Sequence, residues 1–421
     1  MIVRDAVHGD IELTAEETRL LDAPEMQRLR RIKQLGLASL VYPGATHTRF
    51  EHSLGTLFTA RRVIQSLRHN GHPVEAEAER RICAAALLHD VTHIPFGHTF
   101  EDERAVFARH DTPARIRAFL RSGALGERLA ALGLREAVSA LLLGELPAAR
   151  LWEREIVSSA LDADLMDYLR RDAYYTGIRQ DFDDRIFRTF VRSGGRLAVA
   201  MHQNGVDRAD VRSEVVHLLR MRYFLTERVY YHHTKIVAGA MLSKALERSV
   251  AAGVTERELY PLGDETLFAF IHARGDAGAR ALIERILERR LLKRTLTLAG
   301  EAIPPDIQSG LIHRFHDDCA ARADFERALA AAAGLPEHEV ILSVPAATQM
   351  KEAAVTVLTA RGLTRLNALT AGGAWDIRDL EARYAALWRL QVFAPEEARD
   401  KVERAARRLL AGALGREPSD W

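Results

Sequence analysis

The sequence predicts a mostly α-helical fold with minor β elements and a small α+β part towards the C-terminus. Three observations carry this expectation. Helical periodicity recurs from residue 14 to about 250, most helical stretches close on glycine, and the few alternating segments are short and bounded by turn residues. The 421 residues are 48% hydrophobic, which supports a large core and more than one unit. We expect residues 1–250 to form one unit and residues 251–421 a second, packed on the first and engaged in oligomer contacts. A formal net charge of +1 supplies no global field for nucleic acid. The two cysteines, Cys83 and Cys319, are far apart and exclude a disulfide framework or a thiolate metal site. With neither a leader pattern nor a membrane-length apolar run, a cytoplasmic protein without membrane association is expected.

The opening "MIVRDAVHGDIELT" alternates and turns at His8-Gly9, which suggests a hairpin. "TAEETRLLDAPEMQRLRRIKQLG" begins with a Thr-x-x-Glu capping signal and is interrupted near Pro24, giving two consecutive helices that stop at Gly36. Further helices follow in "HSLGTLFTARRVIQSLRHNG", "EAERRICAAALLHD", "ARIRAFLRSG", "REAVSALLLGEL" and "SSALDADLMDYLRRDAYYTG". "GGRLAVAMHQNG" reads as a small strand pair. "SEVVHLLRMRYFLTERVYYHHTKIVAGAMLSKALERS" lacks a strong breaker and predicts one long helix. Beyond it, "RALIERILERRLLKRTLTL" predicts a basic amphipathic helix, "HEVILSVPA" and "LWRLQVFAP" predict strands, and "EEARDKVERAARRLL" a closing helix.

The stretch "CAAALLHDVTHIPFGHTFEDE" runs an apolar helix into His89 and Asp90, then adds His93 and His98. Burying an imidazole beside a carboxylate is tolerable only when they are hydrogen-bonded, paired or metal-bound. Partners are on offer in His52 of "HTRFEHSLG" and Asp164 of "LDADLMDYLRRD", and His110 follows the doublet. Two imidazoles and two carboxylates suit one divalent transition metal, manganese, iron, zinc, nickel or cobalt, better than calcium. Asp164, Tyr168 and Asp172 fall four apart on one helix face, beside an apolar stripe of Leu161, Leu165 and Leu169. Alone, an acidic face of this kind is more often solvated, and a single His52 is more often a cap than a ligand.

The ordered set "DAVHGDIEL", "QRLRRIKQLG", "PGATHTRFEHSLG", "LLHDVTHIPFGH" and "DADLMDYLRRDAYYTG" resembles the HD-superfamily phosphohydrolases, in the branch of the dNTP triphosphohydrolases. The similarity is dense over residues 1–180 and thinner beyond. It implies an HD-domain helical fold and metal ligands His52, His89, Asp90 and Asp164. It implies a catalytic group of His110 as acid, His93 and His98 facing phosphate, and Glu101 orienting them. It assigns substrate to Arg49 (phosphate), Gln34, Tyr168 and Asp172 (sugar) and Tyr230 (a wall against a 2'-hydroxyl). A regulatory nucleotide site would use Asp22, Gln27 and Arg30. The implied reaction is dNTP and water to deoxynucleoside and triphosphate, with Mg accompanying the nucleotide phosphates, a nucleotide activator and a homo-oligomer, dimer or larger.

Two departures keep other readings open. The branch carries a lysine after the metal-binding aspartate, where this chain has Leu165, so Arg171 or Lys235 would have to reach the phosphates. The lysine of the N-terminal strand falls at Met1, and Asp111 replaces a common glutamate after His110. An HD-type phosphodiesterase or nuclease on single-stranded nucleic acid or cyclic nucleotides is the alternative enzyme. A non-catalytic nucleotide-sensing module is the alternative non-enzyme.

Overall fold

The computed structural model describes residues 1–369 and 374–414. Ile2–Asp5 and Gly9–Glu12 form the expected antiparallel hairpin, closed by Gly9 at φ 79°. Thr14 and Glu17 make a reciprocal capping box on Ala15–Leu21. Pro24 then starts a helix of only one turn, Pro24–Gln27, which tightens into a 3-10 turn, Arg28–Arg31. This is shorter than expected because Arg28 is drawn inward. Its guanidinium donates to the carbonyls of Val91 (2.9 Å) and His93 (2.7 Å).

The central helix, Arg49–His69, is capped by Thr48 and Glu51 and packs against both Ala76–Leu88 and Ala163–Thr176. These three helices present the functional side chains. Around them the helices Pro113–Arg121, Gly123–Ala131, Arg135–Leu143 and Leu151–Val157 complete an apolar core. Of the segment expected to hold a strand pair, Arg196–Ala200 is a strand, but its partner, Phe190–Ser193, precedes the segment, and His202–Gln203 pairs instead with Val206–Asp207. The Phe190–Ser193 and Arg196–Ala200 pair is extended by a distant hairpin: Thr356–Thr359 adds parallel to Arg196–Ala200, and Gly362–Arg365 pairs outside it. Met350, Val355, Val357, Ile377 and Tyr384 therefore share the core of the N-terminal helices.

The long helix expected over residues 213–249 is divided. Ala209–Leu225 runs into a π-turn, Thr226–Tyr230, and a second helix, His233–Ala251, begins after His232, whose ring accepts from the Thr234 amide. No proline or glycine marks the break. Tertiary bonds stabilise it: the Tyr42 hydroxyl donates to the Arg228 carbonyl, and the Tyr230 hydroxyl to Asp172. The expected basic helix also ends early. Ala277–Leu287 stops before Arg289, which adopts φ 55°, and Lys293–Ala299 is a strand. Pairing with Arg389–Ala394 some ninety residues later outweighs local helix preference.

His233–Ala251, Asp264–Arg274 and Ala277–Leu287 surround a second core. The third lies under the sheet of Lys293–Ala299, Arg389–Ala394 and Ile341–Ser343, covered by Cys319–Ala333 and Arg399–Leu414. The fold is mostly α with small sheets, as expected. Among the described residues no helix is long and apolar enough to cross a membrane.

Candidate metal centre and histidine cluster

His52 stands in the first turn of Arg49–His69, His89 caps the C-terminus of Ala76–Leu88, Asp90 follows it, and Asp164 lies in the first turn of Ala163–Thr176. Their donor atoms converge. His52 Nε2 is 2.9 Å from Asp164 Oδ1 and 3.2 Å from His89 Nε2. His89 Nε2 is 3.5 Å from Asp90 Oδ1 and 3.7 Å from Asp164 Oδ1, and His52 Nε2 is 3.9 Å from Asp90 Oδ2. Asp164 is the open wall, with 37% of its side chain exposed.

The hydrogen bonds behind the imidazoles test whether these residues fit a cation. His89 Nδ1 lies 2.8 Å from the Ala86 carbonyl, which only accepts, so Nδ1 carries a proton and Nε2 presents a lone pair in the neutral ring. His52 Nδ1 donates likewise to Asp167 Oδ2 at 2.7 Å. Two lone pairs 3.2 Å apart, flanked by carboxylate oxygens, repel unless a positive charge sits among them. Neighbouring donors ~3–4 Å apart also suit metal–ligand distances of ~2.0–2.2 Å. The set fits a divalent transition metal. Without one, burial lowers the His52 pKa but bonds to Asp164 and Asp167 outweigh it and raise the group to about 10, so a proton takes the cation's place. Burial disfavours the Asp90 anion, yet Arg49, His89 and His93 hold it well below the carboxylate range.

Next to this set, His93, His98, Glu101 and His110 form a second cluster. The His93 and His110 rings stack at 3.7 Å, and His98 meets each edge-on. Glu101 Oε2 lies 3.0 Å from His98 Nδ1 and 3.2 Å from His110 Nδ1, while Oε1 accepts from the His110 amide at 2.7 Å. Burial opposes ionisation of Glu101, but the bonds from His110 and His98 hold it far below its usual range. As an anion it accepts from both Nδ1 atoms and leaves both Nε2 atoms free for chemistry. His93, fully buried with neither nitrogen in a well-aligned bond, is held neutral by burial and by Arg49. Its Nε2 lies 3.1 Å from Asp90 Oδ1, which joins the two clusters.

The remaining sequence-derived residues fall in three places. Arg49 is buried and donates to Asp90 Oδ2 at 2.7 Å, and its Nε has no partner. Asp172 accepts from Tyr230 (2.7 Å) and meets His47 Nε2 (2.8 Å); the Gln34 side-chain oxygen is buried without a partner, and the Gln34 amide bonds the His47 carbonyl. The Arg222 guanidinium stands 5.1 Å from the Tyr168 ring and 5.0 Å from the Tyr230 ring. Gln27 and Arg30 are bonded to each other at 2.9 Å near the exposed Asp22, with Arg30 stacked on Phe50.

Two expectations about phosphate cations change. Leu165 is buried in the core, and Arg171 cannot reach a ligand: it is fully buried, bonded to Asp167 and Asp5. Lys235 remains partly exposed, 3.9 Å from Glu103. The sequence reading missed Asp167, His8, His47 and Arg222. Asp167 accepts from His52, His8 and Arg171 at once. Gly55 was its available signal: a Cβ there would fall 1.9 Å from Asp167 Oδ1, so a glycine inside a helix, three residues after His52, marks a close approach.

The HD domain model matches residues 49–172, and the HD associated region model matches residues 183–414. An uncharacterized protein of Methanocaldococcus jannaschii is 29% identical over 407 residues, covering 94% of this chain and 79% of its own. YwfO of Bacillus subtilis, also uncharacterized, is 35% identical over 59% of this chain and 55% of its own length. The deoxynucleoside triphosphate triphosphohydrolase SAMHD1 of Gallus gallus is 28% identical over 74% of this chain and 59% of its own. The chain thus spans little more than half the length of the last two. A crystal structure of a phosphohydrolase from Bacteroides thetaiotaomicron matches with a TM-score of 0.72 at 22% identity, over 94% of this chain and all of that one, and shows the same fold.

Proposed function

The chain belongs to the HD domain family of metal-dependent phosphohydrolases, and on that premise we propose that it cleaves dNTP to deoxynucleoside and triphosphate. The observation that carries this reading is the contact between the four metal-suited donors and a histidine cluster oriented by one carboxylate. His52, His89, Asp90 and Asp164 would hold the metal, which when bound lowers the pKa of water and neutralises phosphate oxygens.

In this reading Glu101 accepts from Nδ1 of His98 and of His110 and turns each Nε2 away from itself, so that His110, when protonated on both nitrogens, offers an Nε2 proton to the departing oxygen. His110 serves as the acid, while His93 donates from its neutral ring and His98, the more exposed of the three, contacts phosphate. Arg49 holds Asp90 charged and can offer its unpartnered Nε. Gln34, Tyr168 and Asp172 take the sugar, and Tyr230, tied to Asp172, closes the space beside it. Arg222, between the two tyrosines and paired with Glu352 at 3.1 Å, is the cation nearest the sugar residues. Asp22, Gln27 and Arg30 form the candidate regulatory surface, and residues 251–421 serve self-association.

Burial of Leu165 and Arg171 favours a second reading, a phosphodiesterase on the same scaffold. Both readings are tested by a product assay with Mn, Fe, Ni, Co, Zn or Mg. Each dNTP is supplied alone and mixed, beside single-stranded DNA, RNA and cyclic nucleotides. Inorganic triphosphate with deoxynucleoside is the expected outcome. Cleavage of polynucleotide or cyclic nucleotide without triphosphate would replace it with the second reading.

A further inference from the structure

A cavity of about 240 Å³ lies away from the metal centre, between the 158–161 turn, the Arg196–Ala200 strand and the hairpin ending at Arg365. Arg154, Arg196 and Arg365 line it with the hydroxyl-bearing Ser158 and Ser159, over an apolar floor from the strands. Glu155 is its one acidic residue, and its oxygens are taken by Arg196 and by the Leu197 amide at 2.7 Å. Among the described residues, Arg154 and Arg365 have no carboxylate partner, and Arg154 Nε is buried without a hydrogen bond.

Guanidiniums left unpaired around a concavity favour an anion, because each fork offers parallel donors that match phosphate oxygens. Volume narrows the choice. Pockets for whole drug-sized ligands run to ~300–1,000 Å³, so this one suits one to three phosphoryl groups better than a complete nucleotide. We propose that this cavity is a phosphate-binding site, separate from the metal centre, that takes a small phosphoanion through Arg154, Arg365 and the half-engaged Arg196. The site has a path to the chemistry. The Ser159 amide donates to Asp162, whose other oxygen caps the Ala163–Thr176 helix at Leu165 N, one residue beyond Asp164. Occupancy therefore bears on the turn that carries a metal ligand.

The test is calorimetric titration of the metal-loaded protein with inorganic phosphate, pyrophosphate and triphosphate. It compares wild type with Arg365→Ala, Arg154→Gln and the double variant. Arg365 is exposed, so its removal leaves the fold intact. Wild type is expected to bind two equivalents of pyrophosphate, one at the metal centre. The single variants should weaken one of these at least tenfold and the double variant should abolish it, with the other equivalent and basal hydrolysis unchanged. Pyrophosphate binding of the same stoichiometry and affinity in wild type and the double variant would overturn the proposal, whereas loss of only the equivalent that does not depend on the arginines would count against the proposed function and not against this site. The arms also identify the ligand, since a preference for pyrophosphate or triphosphate over phosphate measures how many phosphoryl groups the three arginines span.

Discussion

Replacing Asp167 by Asn tests the architecture behind the candidate metal centre, because it changes one buried atom and replaces no proposed ligand. Asp167 is fully buried, and its two oxygens receive His8 Nε2 (2.6 Å), His52 Nδ1 (2.7 Å) and Arg171 (2.8 and 3.0 Å). An asparagine supplies one acceptor oxygen where these donors need two, and it turns an NH2 group towards one of them. Arg171 keeps Asp5, at 2.8 and 3.3 Å, so its charge is not orphaned. Breaking a buried pair costs ~3–5 kcal/mol, and the retained Asp5 contact places this variant near ~3 kcal/mol. His52 also loses the anion that keeps its proton on Nδ1. Loss of such an orienting partner lowers metal affinity ~10–100-fold. Competition titration with a metal chelator measures the affinity, and urea unfolding measures the stability. Asp5→Asn is the comparison: it weakens Arg171 and the Val7 and His8 amide bonds but leaves the Asp167 anion under His52, so it should lower stability while reducing metal affinity less than Asp167→Asn does. Equal metal affinities for wild type and Asp167→Asn would refute the argument that Asp167 sets the His52 tautomer.

Three further outcomes are expected. His110→Ala should retain metal and lose ~10²–10⁴-fold in turnover; single-turnover kinetics with metal analysis checks this, and unchanged turnover would exclude His110 as the acid. Gly97→Ala should destabilise by ~1–3 kcal/mol, because Gly97 sits at φ 55° and an added Cβ would lie 2.2 Å from Arg49 Nη2. It should also loosen metal by displacing Arg49 from Asp90; a wild-type urea midpoint would contradict the first effect and a wild-type affinity in chelator competition the second. Glu326 is buried between Arg104 (2.7 Å) and Lys244 (2.9 Å), and although burial opposes its charge, these cations depress its pKa to about 2. A depressed carboxyl stabilises the fold above its unfolded pKa, and that stability is lost as pH falls. Relative to Glu326→Gln, wild type should therefore lose up to ~3 kcal/mol between about pH 5 and pH 2. Parallel acid titrations of the two proteins would contradict it.

The elements that could be read from sequence are those whose signals are local. The capping box at Thr14, the break at Pro24 and the left-handed terminator Gly177 each need only a few neighbouring residues. Two of the misread segments were decided by distant partners. Residues 226–232 carry no breaker, and the turn there is held by Tyr42 and Asp172; residues 293–299 became a strand because Arg389–Ala394 pairs with them.

The site divides along the same line. His52, His89, Asp90 and Asp164 stand in motifs whose order can be recognised, and the structure groups His52, His89 and Asp164 closely, with an Asp90 oxygen within 4 Å of each imidazole. Asp167 escaped because, three residues after Asp164 and four before Arg171, it has the spacing of an ordinary solvated helix pair. Its burial depends on Gly55 admitting the helices to close approach, on Arg171 finding Asp5 and on His8 arriving from the N-terminal hairpin. None of these is a property of the helix that bears it. The hairpin thus does more than cover the core: through His8 and Asp5 it supplies two of the groups that keep a buried carboxylate beneath the His52 ring, so the opening residues of the chain take part in setting the candidate metal centre.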